Sequence, residues 1–204
     1  MLKYYMFNKP QGCITDRTDP RRKTVMEYFP QELRKKLHPV GRLDKDTEGL
    51  LIFTDDGSLD NRLMQPGNHV AKEYFFRAVG DLNGEDIAAL EKGVRLYGDD
   101  YPPSKPAEIE VLTRETIKNR ADLLPEYRRA RYLKNPEGPV ISGLVRITEG
   151  KKHQVKLMLK YSHCSIFYLK RTAVGMLRLD ESLSPGEYRE LSEKEILMLT
   201  RLDT

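Results

Sequence analysis

The stretch HPVGRLDKDTEGLLIFTDDG, residues 38–57, decides the fold because it places a charged pair just before an apolar strand. Residues 50–54 are predicted to form that strand, since they are apolar or β-branched and a turn sequence follows them. Arg42 and Asp44 are two positions apart, so in extended backbone both side chains face one surface and Leu43 faces the other. The alternative explanation is an exposed ion pair with little effect on stability, which is what most such pairs are.

The rest of the chain is predicted to mix strands with a few helices. Further strands are expected at 2–7, Lys72–Val79, 107–113 and 144–148. Helices are expected at 24–28, 58–64, 85–92 and Gln154–Tyr161, with Ser58 capping the second of them and Ser192 and Glu195 forming a capping box for a last helix. Strands without strict alternation of strand and helix indicate an α+β fold with a mostly antiparallel sheet.

Three further blocks of sequence accompany residues 38–57, in order along the chain. They are NKPQG at 8–12, KEY at 72–74, and EGKKHQVK at 149–156 followed by LKRTAVG at 169–175 and LRL at 177–179. Together the blocks resemble the signature of the pseudouridine synthases that modify ribosomal RNA in bacteria. GRLD alone is a weak motif, whereas four blocks in order over nearly the full length are specific. Asn8, Lys9 and Gly12 are expected to support the structure rather than to react.

The resemblance implies the fold of that family. This is an α+β pseudouridine synthase fold with a mixed, mostly antiparallel sheet, flanking helices and a central RNA-binding cleft. A single catalytic domain of two subdomains around the cleft is expected over residues 1–204, with a charged insert at 114–140. Many relatives carry a small RNA-binding domain ahead of the catalytic one. Residues 8–12 lie so close to Met1 that no such domain is expected here.

The resemblance also implies a reaction, the isomerisation of a uridine in RNA, above all ribosomal RNA, to pseudouridine. That reaction breaks the C1′–N1 bond, turns the base and joins C1′ to C5, so no cofactor, metal or redox partner is expected. By resemblance Asp44 is the catalytic nucleophile, because an ionised carboxylate is able to attack or stabilise an electron-poor carbon. The sequence leaves open whether the attack is on the base or on the sugar.

Tyr74 and Lys156 complete the catalytic set that the resemblance implies. Tyr74 matches a tyrosine that stacks on the target base and takes part in proton transfer, although a strand residue in the core is the ordinary explanation. Lys156 matches a basic residue that is paired with the catalytic aspartate, and a buried carboxylate needs such a cation to stay ionised. On the predicted helix Lys152, Lys156 and Lys160 are spaced i, i+4 and i+8, a pattern that a solvated face also produces.

Substrate binding is assigned by the same resemblance. Arg42 matches an arginine that holds the target nucleotide flipped, because a base inside folded RNA must be extruded to react. Leu169 matches an apolar residue that packs in the active site. The other substrate-binding residues are basic residues of the last block, Lys151, Lys152 and Arg171. The family usually has arginines where Lys151 and Lys156 stand, and lysine keeps the charge but loses the bidentate fork.

Charge favours RNA as the partner through local clusters, because the net charge of the 204 residues is only +4. Basic residues cluster in four segments, at 17–23, 34–36, 114–134 and 151–160. Phosphate contacts supply most of the non-specific affinity for nucleic acids, so clusters of this kind suit a polyanion. Tyr127 and Tyr132 interleave with the third cluster, and each is either a base-stacking or a packing residue.

Composition and missing motifs exclude several classes of protein. The chain is 39% hydrophobic and 32% charged, as in a soluble globular protein, and it has no apolar run of the roughly 18 residues that a membrane span needs. It opens without a signal-peptide core. Cys13 and Cys164 are far apart, so reduced thiols in the cytoplasm are expected. The sequence has no nucleophile elbow, phosphate-binding loop or metal-ligand spacing, and the resemblance implies a monomer.

Three other functions remain open on this scaffold. A catalytically silent RNA-binding or ribosome-assembly factor would keep the fold without the reaction, because a fold does not determine an activity. A nucleotide hydrolase related to the glycosidases would release free uracil, whereas isomerisation releases none. A pseudouridine synthase that acts on RNA other than ribosomal RNA is the third alternative.

Overall fold

A computed structural model describes residues 2–200. The chain divides into two compact units. The Asp44 unit is formed by Met1–Lys72 and Lys170–Thr204, and the Lys156 unit by Glu73–Leu169. No helix within residues 2–200 is long and apolar enough to cross a membrane.

Strands and helices are mixed along the chain, as predicted. The strands are β1 (Tyr4–Lys9), β2 (His38–Val40), β3 (Glu48–Thr54), β4 (Lys72–Val79), β5 (Ala107–Thr116), β6 (Pro139–Ile147), β7 (Ser165–Val174), β8 (Leu177–Arg178) and β9 (Tyr188–Glu190). The α-helices are α1 (Gln31–Arg34), α2 (Gly57–Met64), α3 (Gly84–Lys92), α4 (Glu126–Tyr132), α5 (Gln154–Tyr161) and α6 (Glu193–Thr200). Short 3-10 segments occur at Val25–Tyr28, Pro66–Asn68 and Lys118–Leu123.

In the Asp44 unit the strands are ordered β7-β3-β1-β9. β1 pairs antiparallel with β3 along its whole length, from Tyr4 opposite Thr54 to Lys9 opposite Gly49. β2 pairs antiparallel with β3. Lys170 and Arg171 of β7 pair in parallel with Glu48 and Gly49 of β3. β3 is therefore the central strand of this unit, and all of its residues after Glu48 are buried.

Two apolar layers cover β3, which explains why residues 50–53 are apolar without alternation. One layer is an aliphatic core that includes Leu50 and Ile52. The other is aromatic, and in it the ring of Phe53 lies 4.5 Å from that of Phe29, centroid to centroid. Burying each of these side chains stabilises the fold by roughly 2 kcal/mol, so β3 is a firm support for the turn that precedes it.

In the Lys156 unit the strands are ordered β5-β6-β4-β7. β5 and β6 form a long antiparallel pair. The segment that joins them contains Lys118–Leu123 and α4. Ile117, Leu124 and Val140 form a small core beneath it, against which Tyr132 packs. Residues 114–140 are therefore folded onto their own apolar residues.

Several boundaries differ from the prediction. β1 runs on to Lys9 instead of ending at Phe7, because Asn8 and Lys9 continue the ladder opposite Leu50 and Gly49. β5 and β6 are longer than predicted, since each extends the other by pairing. β7 is a strand that the sequence does not predict. The predicted bounds of β4 and α5 are confirmed.

The prediction that Ser58 caps α2 is wrong. The N-cap is Asp56, whose Oδ1 accepts hydrogen bonds from the N–H groups of Ser58 at 2.9 Å and Leu59 at 3.3 Å. Its Oδ2 accepts a hydrogen bond from the hydroxyl of Tyr4 at 2.8 Å. Hydrogen bonds from Ser58 and Tyr4 hold the pKa of Asp56 below its usual range, although burial acts in the opposite direction. The distant Tyr4 is what makes Asp56 the better cap.

Candidate active site

Asp44 lies in a turn between β2 and β3 rather than in a strand. Its carbonyl oxygen accepts a hydrogen bond from the N–H of Thr47 at 3.1 Å, which closes the turn. The predicted alternation is confirmed, since Leu43 is buried, Arg42 is exposed and Asp44 is half-buried. The carboxylate therefore stands on a short turn that leads directly into the buried strand β3.

A fully buried lysine on β1 holds this turn. The Nζ atom of Lys9 donates hydrogen bonds to the carbonyl oxygens of Asp44 at 3.0 Å, Thr47 at 2.9 Å and Pro10 at 3.0 Å. Burial lowers the pKa of Lys9, and nearby negative charge, including that of Asp46, acts against this shift. Charge-assisted hydrogen bonds are the strong ones, so Lys9 supports the structure as expected and fixes the backbone at Asp44.

Residues that follow β1 hold the other side of the turn. The hydroxyl of Thr15 donates to the carbonyl oxygen of Leu43 at 2.8 Å and accepts from the N–H of Leu43 at 3.1 Å. The N–H of Gly12 donates to the carbonyl oxygen of Lys45 at 2.8 Å. The backbone on both sides of Asp44 is thus bonded to the first sequence block and its continuation, which preorganises the carboxylate.

Arg42 projects into solvent from the same turn. Its side chain is 74% exposed, and its Nη2 lies 3.9 Å from Oδ2 of Asp16. An exposed ion pair of this length contributes little to stability. The guanidinium is therefore able to exchange Asp16 for a phosphate or a base edge, to which arginine binds well.

Arg171, expected to bind substrate, is buried in the Asp44 unit. Its Nε donates to the carbonyl oxygen of Leu50 at 2.7 Å, and its backbone lies opposite Gly49 where β3 and β7 pair in parallel. Gly49 has a φ of 103°, and a Cβ there would overlap the carbonyl oxygen of Arg171. Burial lowers the pKa of Lys72, and the positive charge of Arg171 adds to this shift. Arg171 thus joins two strands behind the Asp44 turn.

Tyr74 and Leu169 are strand residues of the Lys156 unit. Tyr74 is 9% exposed in β4, where it shares a face of the strand with the fully buried Phe76. Its neighbour Glu73 is also buried and accepts a hydrogen bond from Nε of Arg146 at 2.7 Å. Leu169 is 4% exposed in β7, the strand next to β4. Both side chains are therefore held by packing, and a small part of the tyrosine ring stays accessible.

Lys156 is half-buried on α5, whose apolar face is formed by Val155, Met158 and Leu159, as predicted. The prediction that Lys152 shares this helix is wrong. His153 has a φ of 56° and precedes the first helical residue, so Lys152 lies in the turn before the helix. The lysine stripe of α5 is therefore reduced to Lys156 and Lys160.

The loop before α5 is held by side chains. Oε1 of Glu149 accepts hydrogen bonds from Nε2 of Gln154 at 2.7 Å and from the N–H of Lys105 at 2.8 Å. Oε1 of Gln154 in turn accepts from the N–H of Lys151 at 3.0 Å. Nζ of Lys151 lies 3.3 Å from Oε2 of Glu149. Glu149 and Gln154 both lie in the block at 149–156, but the sequence pattern predicts no role for either, because their hydrogen-bond partners are set by the fold.

Known proteins resemble the chain over nearly its whole length. Residues 3–161 match the family described as RNA pseudouridylate synthase. The chain belongs to that family. The RNA pseudouridine synthase YtzG of Bacillus subtilis, described as uncharacterized, is 42% identical over 197 residues, which are 96% of this chain and 72% of that protein. The ribosomal small subunit pseudouridine synthase A of Escherichia coli is 33% identical over 194 residues, 95% of this chain and 72% of that protein.

A crystal structure of a pseudouridylate synthase confirms the predicted fold class. It matches with a TM-score of 0.79 at 34% identity, covering 98% of this chain and 74% of that one. As an RNA pseudouridine synthase, the chain isomerises uridine in RNA to pseudouridine. The predicted reaction is thereby confirmed, and the alternative of a hydrolase that releases uracil is not supported.

Proposed function

We propose that Asp44 is the catalytic nucleophile and that the substrate is the RNA of the small ribosomal subunit. The observation that carries the first part is the clamp on the Asp44 turn, in which Lys9 and Thr15 bond the backbone around one half-buried carboxylate. A nucleophile has to be held in a narrow range of positions to react fast, and this turn provides that. The second part is supported by the relatives named ribosomal small subunit pseudouridine synthase A, of which the chain spans about 72%.

The reaction exchanges one bond of the sugar for another. The C1′–N1 bond breaks, a C1′–C5 bond forms, the proton on C5 leaves and N1 gains a proton, so the net change is an isomerisation. Asp44 bonds to the nucleotide while the base turns, and it is released when the new bond is complete. The carboxylate returns unchanged, which is why the balance needs no further reactant.

Tyr74 and Lys156 have the other two catalytic roles in this proposal. The ring of Tyr74 stacks on the uracil, and its hydroxyl takes part in moving the C5 proton. Lys156 is assigned the role of the cation that accompanies the catalytic carboxylate in the reaction, as the resemblance implies. Support comes from their settings, since Tyr74 is buried in β4 and Lys156 is half-buried on α5, next in sequence to the buried Val155.

Four residues bind the RNA around the reacting nucleotide. Arg42 occupies the space that the flipped base leaves or grips a phosphate, which its exposure of 74% allows. Lys151 and Lys152 contact phosphates from the loop before α5 as point charges. Leu169 lines the pocket with an apolar wall. Arg171 acts indirectly, because its hydrogen bond to Leu50 supports the strand behind the Asp44 turn.

The proposed compartment is the cytoplasm, where the ribosome is assembled. Neither Cys13 nor Cys164 forms a disulfide, and both are buried. Burial raises the pKa of Cys164 to about 12, so its thiol stays protonated and unreactive. Inert thiols of this kind suit a reducing compartment. A monomer is the state that we propose for the enzyme.

Tritium release tests the reaction and the nucleophile together. Transcripts of small-subunit, large-subunit and transfer RNA, labelled with tritium at C5 of uridine, are incubated with the wild type and with Asp44→Asn. Release from the small-subunit transcript, reduced at least about a thousandfold in the variant, is expected. Asp100→Asn is the control, since Asp100 is an exposed carboxylate outside the Asp44 turn and is expected to leave the rate unchanged.

Two outcomes contradict the proposal. Equal rates of tritium release for the wild type and Asp44→Asn would show that Asp44 is not the nucleophile. Faster release from large-subunit or transfer RNA would show that small-subunit RNA is not the preferred substrate. Binding of all three transcripts without release from any of them favours the silent assembly factor.

Lys156→Gln is expected to slow tritium release strongly, because Lys156 is assigned a catalytic role. Lys160→Gln is the control, since Lys160 lies on the same helix without such a role and its loss is expected to leave the release rate unchanged.

A further inference from the structure

The segment between β5 and β6 carries a second concentration of positive charge, outside the residues assigned above. Seven basic residues occur from Arg114 to Lys134. A run of this kind is often no more than a solvated face. The structure separates the cations that are neutralised within the protein from those that point to a partner.

Four of the seven are engaged by the protein itself. Three form ion pairs, Arg114 with Asp81 at 3.1 Å, Lys118 with Glu137 at 2.6 Å and Arg120 with Glu115 at 2.6 Å. The fourth, Arg129, is turned towards the protein, where its Nη2 donates to the carbonyl oxygen of Leu124 at 3.2 Å. These four cations contribute to the fold of the segment, and the charges of the three ion-paired ones are largely compensated.

Arg128, Arg131 and Lys134 surround an exposed tyrosine, and of these three Arg128 also interacts with the protein. Tyr127 is 80% exposed, and the guanidinium carbon of Arg128 lies 5.2 Å from the centre of its ring. Arg131 and Lys134 are exposed, and within residues 2–200 neither has a carboxylate at salt-bridge distance. Tyr127 and Arg131 are spaced i, i+4 on α4, with Lys134 following within the next turn, so they share one side of the segment. We call these four residues the α4 surface.

Tyr127 and Tyr132 have different environments in the fold. Tyr132 packs against the small core of the segment, and its hydroxyl lies 3.3 Å from that of Ser165. It is therefore a packing residue. Tyr127 has most of its ring in water, an arrangement that gives little stability to the folded chain. The same small core keeps α4 in place, so the α4 surface is presented by an ordered element.

We propose that the α4 surface binds a single-stranded segment of the substrate RNA away from the nucleotide that reacts. A base stacks on the ring of Tyr127, and Arg131 and Lys134 contact the phosphates on either side. An accessible aromatic ring beside two exposed cations is the combination that unpaired RNA recognises, because every base has a stacking face and every linkage a charge. The inference rests on the proposed function in that it takes RNA as the substrate.

Two variants test this surface separately from the chemistry. Tyr127→Ala is expected to weaken binding of the small-subunit transcript about 5- to 100-fold, the range found for losing one stacked base. Arg131→Gln with Lys134→Gln is expected to lower the slope of log K against log salt by about 1.4, that is, by roughly 0.7 for each of two phosphates. Both variants are expected to release tritium at the wild-type rate under single-turnover conditions with saturating RNA.

Matched controls remove comparable groups elsewhere. Tyr101→Ala removes a tyrosine ring that is 58% exposed, and Lys92→Gln with Lys194→Gln removes two exposed charges outside the four basic clusters. Both controls are expected to bind RNA as the wild type does. Tyr127→Phe is expected to bind almost normally, because the stacking face is kept while the hydroxyl is lost.

The outcomes separate this proposal from the proposed function. Unchanged affinity for Tyr127→Ala together with an unchanged salt slope for the double variant overturns the α4 surface, whatever Asp44→Asn does. Equal weakening in the controls overturns it as well, because the effect is then one of general charge or exposure. Weaker binding by the α4 variants, with no tritium release by the wild type, supports the surface and removes the proposed function instead.

Discussion

The Asp44 turn and the loop before α5 hold their functional residues by different means. The Asp44 turn is fixed through backbone groups, because the buried Nζ of Lys9 bonds carbonyl oxygens on both sides of the turn. The loop before α5 is fixed through side chains, chiefly the pair formed by Glu149 and Gln154. A residue that reacts needs a fixed position, whereas residues that contact phosphates need charge and some freedom. The difference matches the roles that we propose for the two segments.

The largest effect is expected at Gly49, where β3 pairs with β7 just after the Asp44 turn. Gly49→Ala would place a Cβ on the carbonyl oxygen of Arg171 at a φ of 103°, so the strands have to separate. We expect a loss of more than about 4 kcal/mol in the free energy of unfolding, measured by urea denaturation. Gly12→Ala is the control, since Gly12 has a φ of 92° but no atom near its Cβ position. A loss of only about 1 kcal/mol in both would show that backbone strain alone matters.

The clamp itself is tested by Lys9→Met. The change leaves the carbonyl oxygens of Pro10, Asp44 and Thr47 without their buried donor, which is expected to cost about 3 kcal/mol of unfolding free energy. We also expect tritium release under saturating RNA to fall at least about tenfold, because the carboxylate loses its fixed position. Lys36→Met, at an exposed position, is expected to change neither quantity. A Lys9→Met variant with wild-type stability and the wild-type rate of tritium release would show that Lys9 does not hold the Asp44 turn.

Acid is expected to weaken contacts in which a carboxylate is the acceptor, but not the clamp around Asp44, in which Lys9 bonds backbone carbonyl oxygens. Arg189 binds Asp180 at 2.7 Å and Glu195 at 2.7 Å, and its hydrogen bond holds the pKa of Glu195 at about 2. A depressed carboxyl pKa stabilises the fold above the usual pKa of 4.5, and this stabilisation is lost as the pH falls from there towards about 2. We expect Glu195→Gln to be less stable than wild type by about 1 kcal/mol at pH 7.

The same measurement at low pH completes that test. The difference between Glu195→Gln and the wild type is expected to shrink towards zero as the pH falls to about 2, because the wild-type carboxyl is increasingly protonated over that range. Glu193→Gln, at an exposed position of the same helix, is expected to follow the wild type throughout. A difference that stays constant down to pH 2 would mean that packing rather than charge is lost.

The smallest effect on stability is expected for Lys151→Met. The ion pair of Lys151 with Glu149 is partly exposed, so its loss is expected to cost less than about 0.5 kcal/mol. Binding of RNA is expected to respond more, with the salt slope reduced by about 0.7 as one phosphate contact disappears. Lys92→Met, at an exposed position of α3, serves as the control. An unchanged slope would remove Lys151 from the RNA-binding residues.

Local patterns predicted those elements whose stability comes from neighbours in sequence. The alternation in β4 and the apolar face of α5 lie within single segments, and both were predicted with their observed bounds. β7 was not predicted, although Ile166, Phe167 and Tyr168 favour a strand, because its pairing and burial depend on the distant strands β3 and β4. The cap of α2 was misassigned for the same reason, since Tyr4 selects Asp56 over Ser58 from a distant strand.

The sequence by itself determined the family, the reaction and the carboxylate to examine, because four short blocks in a fixed order carry them. Tertiary structure alone decided what holds that carboxylate. It placed Lys9 beneath the Asp44 turn, turned Arg171 into the sheet, and packed Tyr132 partly buried against a small core while leaving Tyr127 in water. The physical reason is that burial and hydrogen-bond partners depend on contacts between residues far apart in the chain, which no local pattern records.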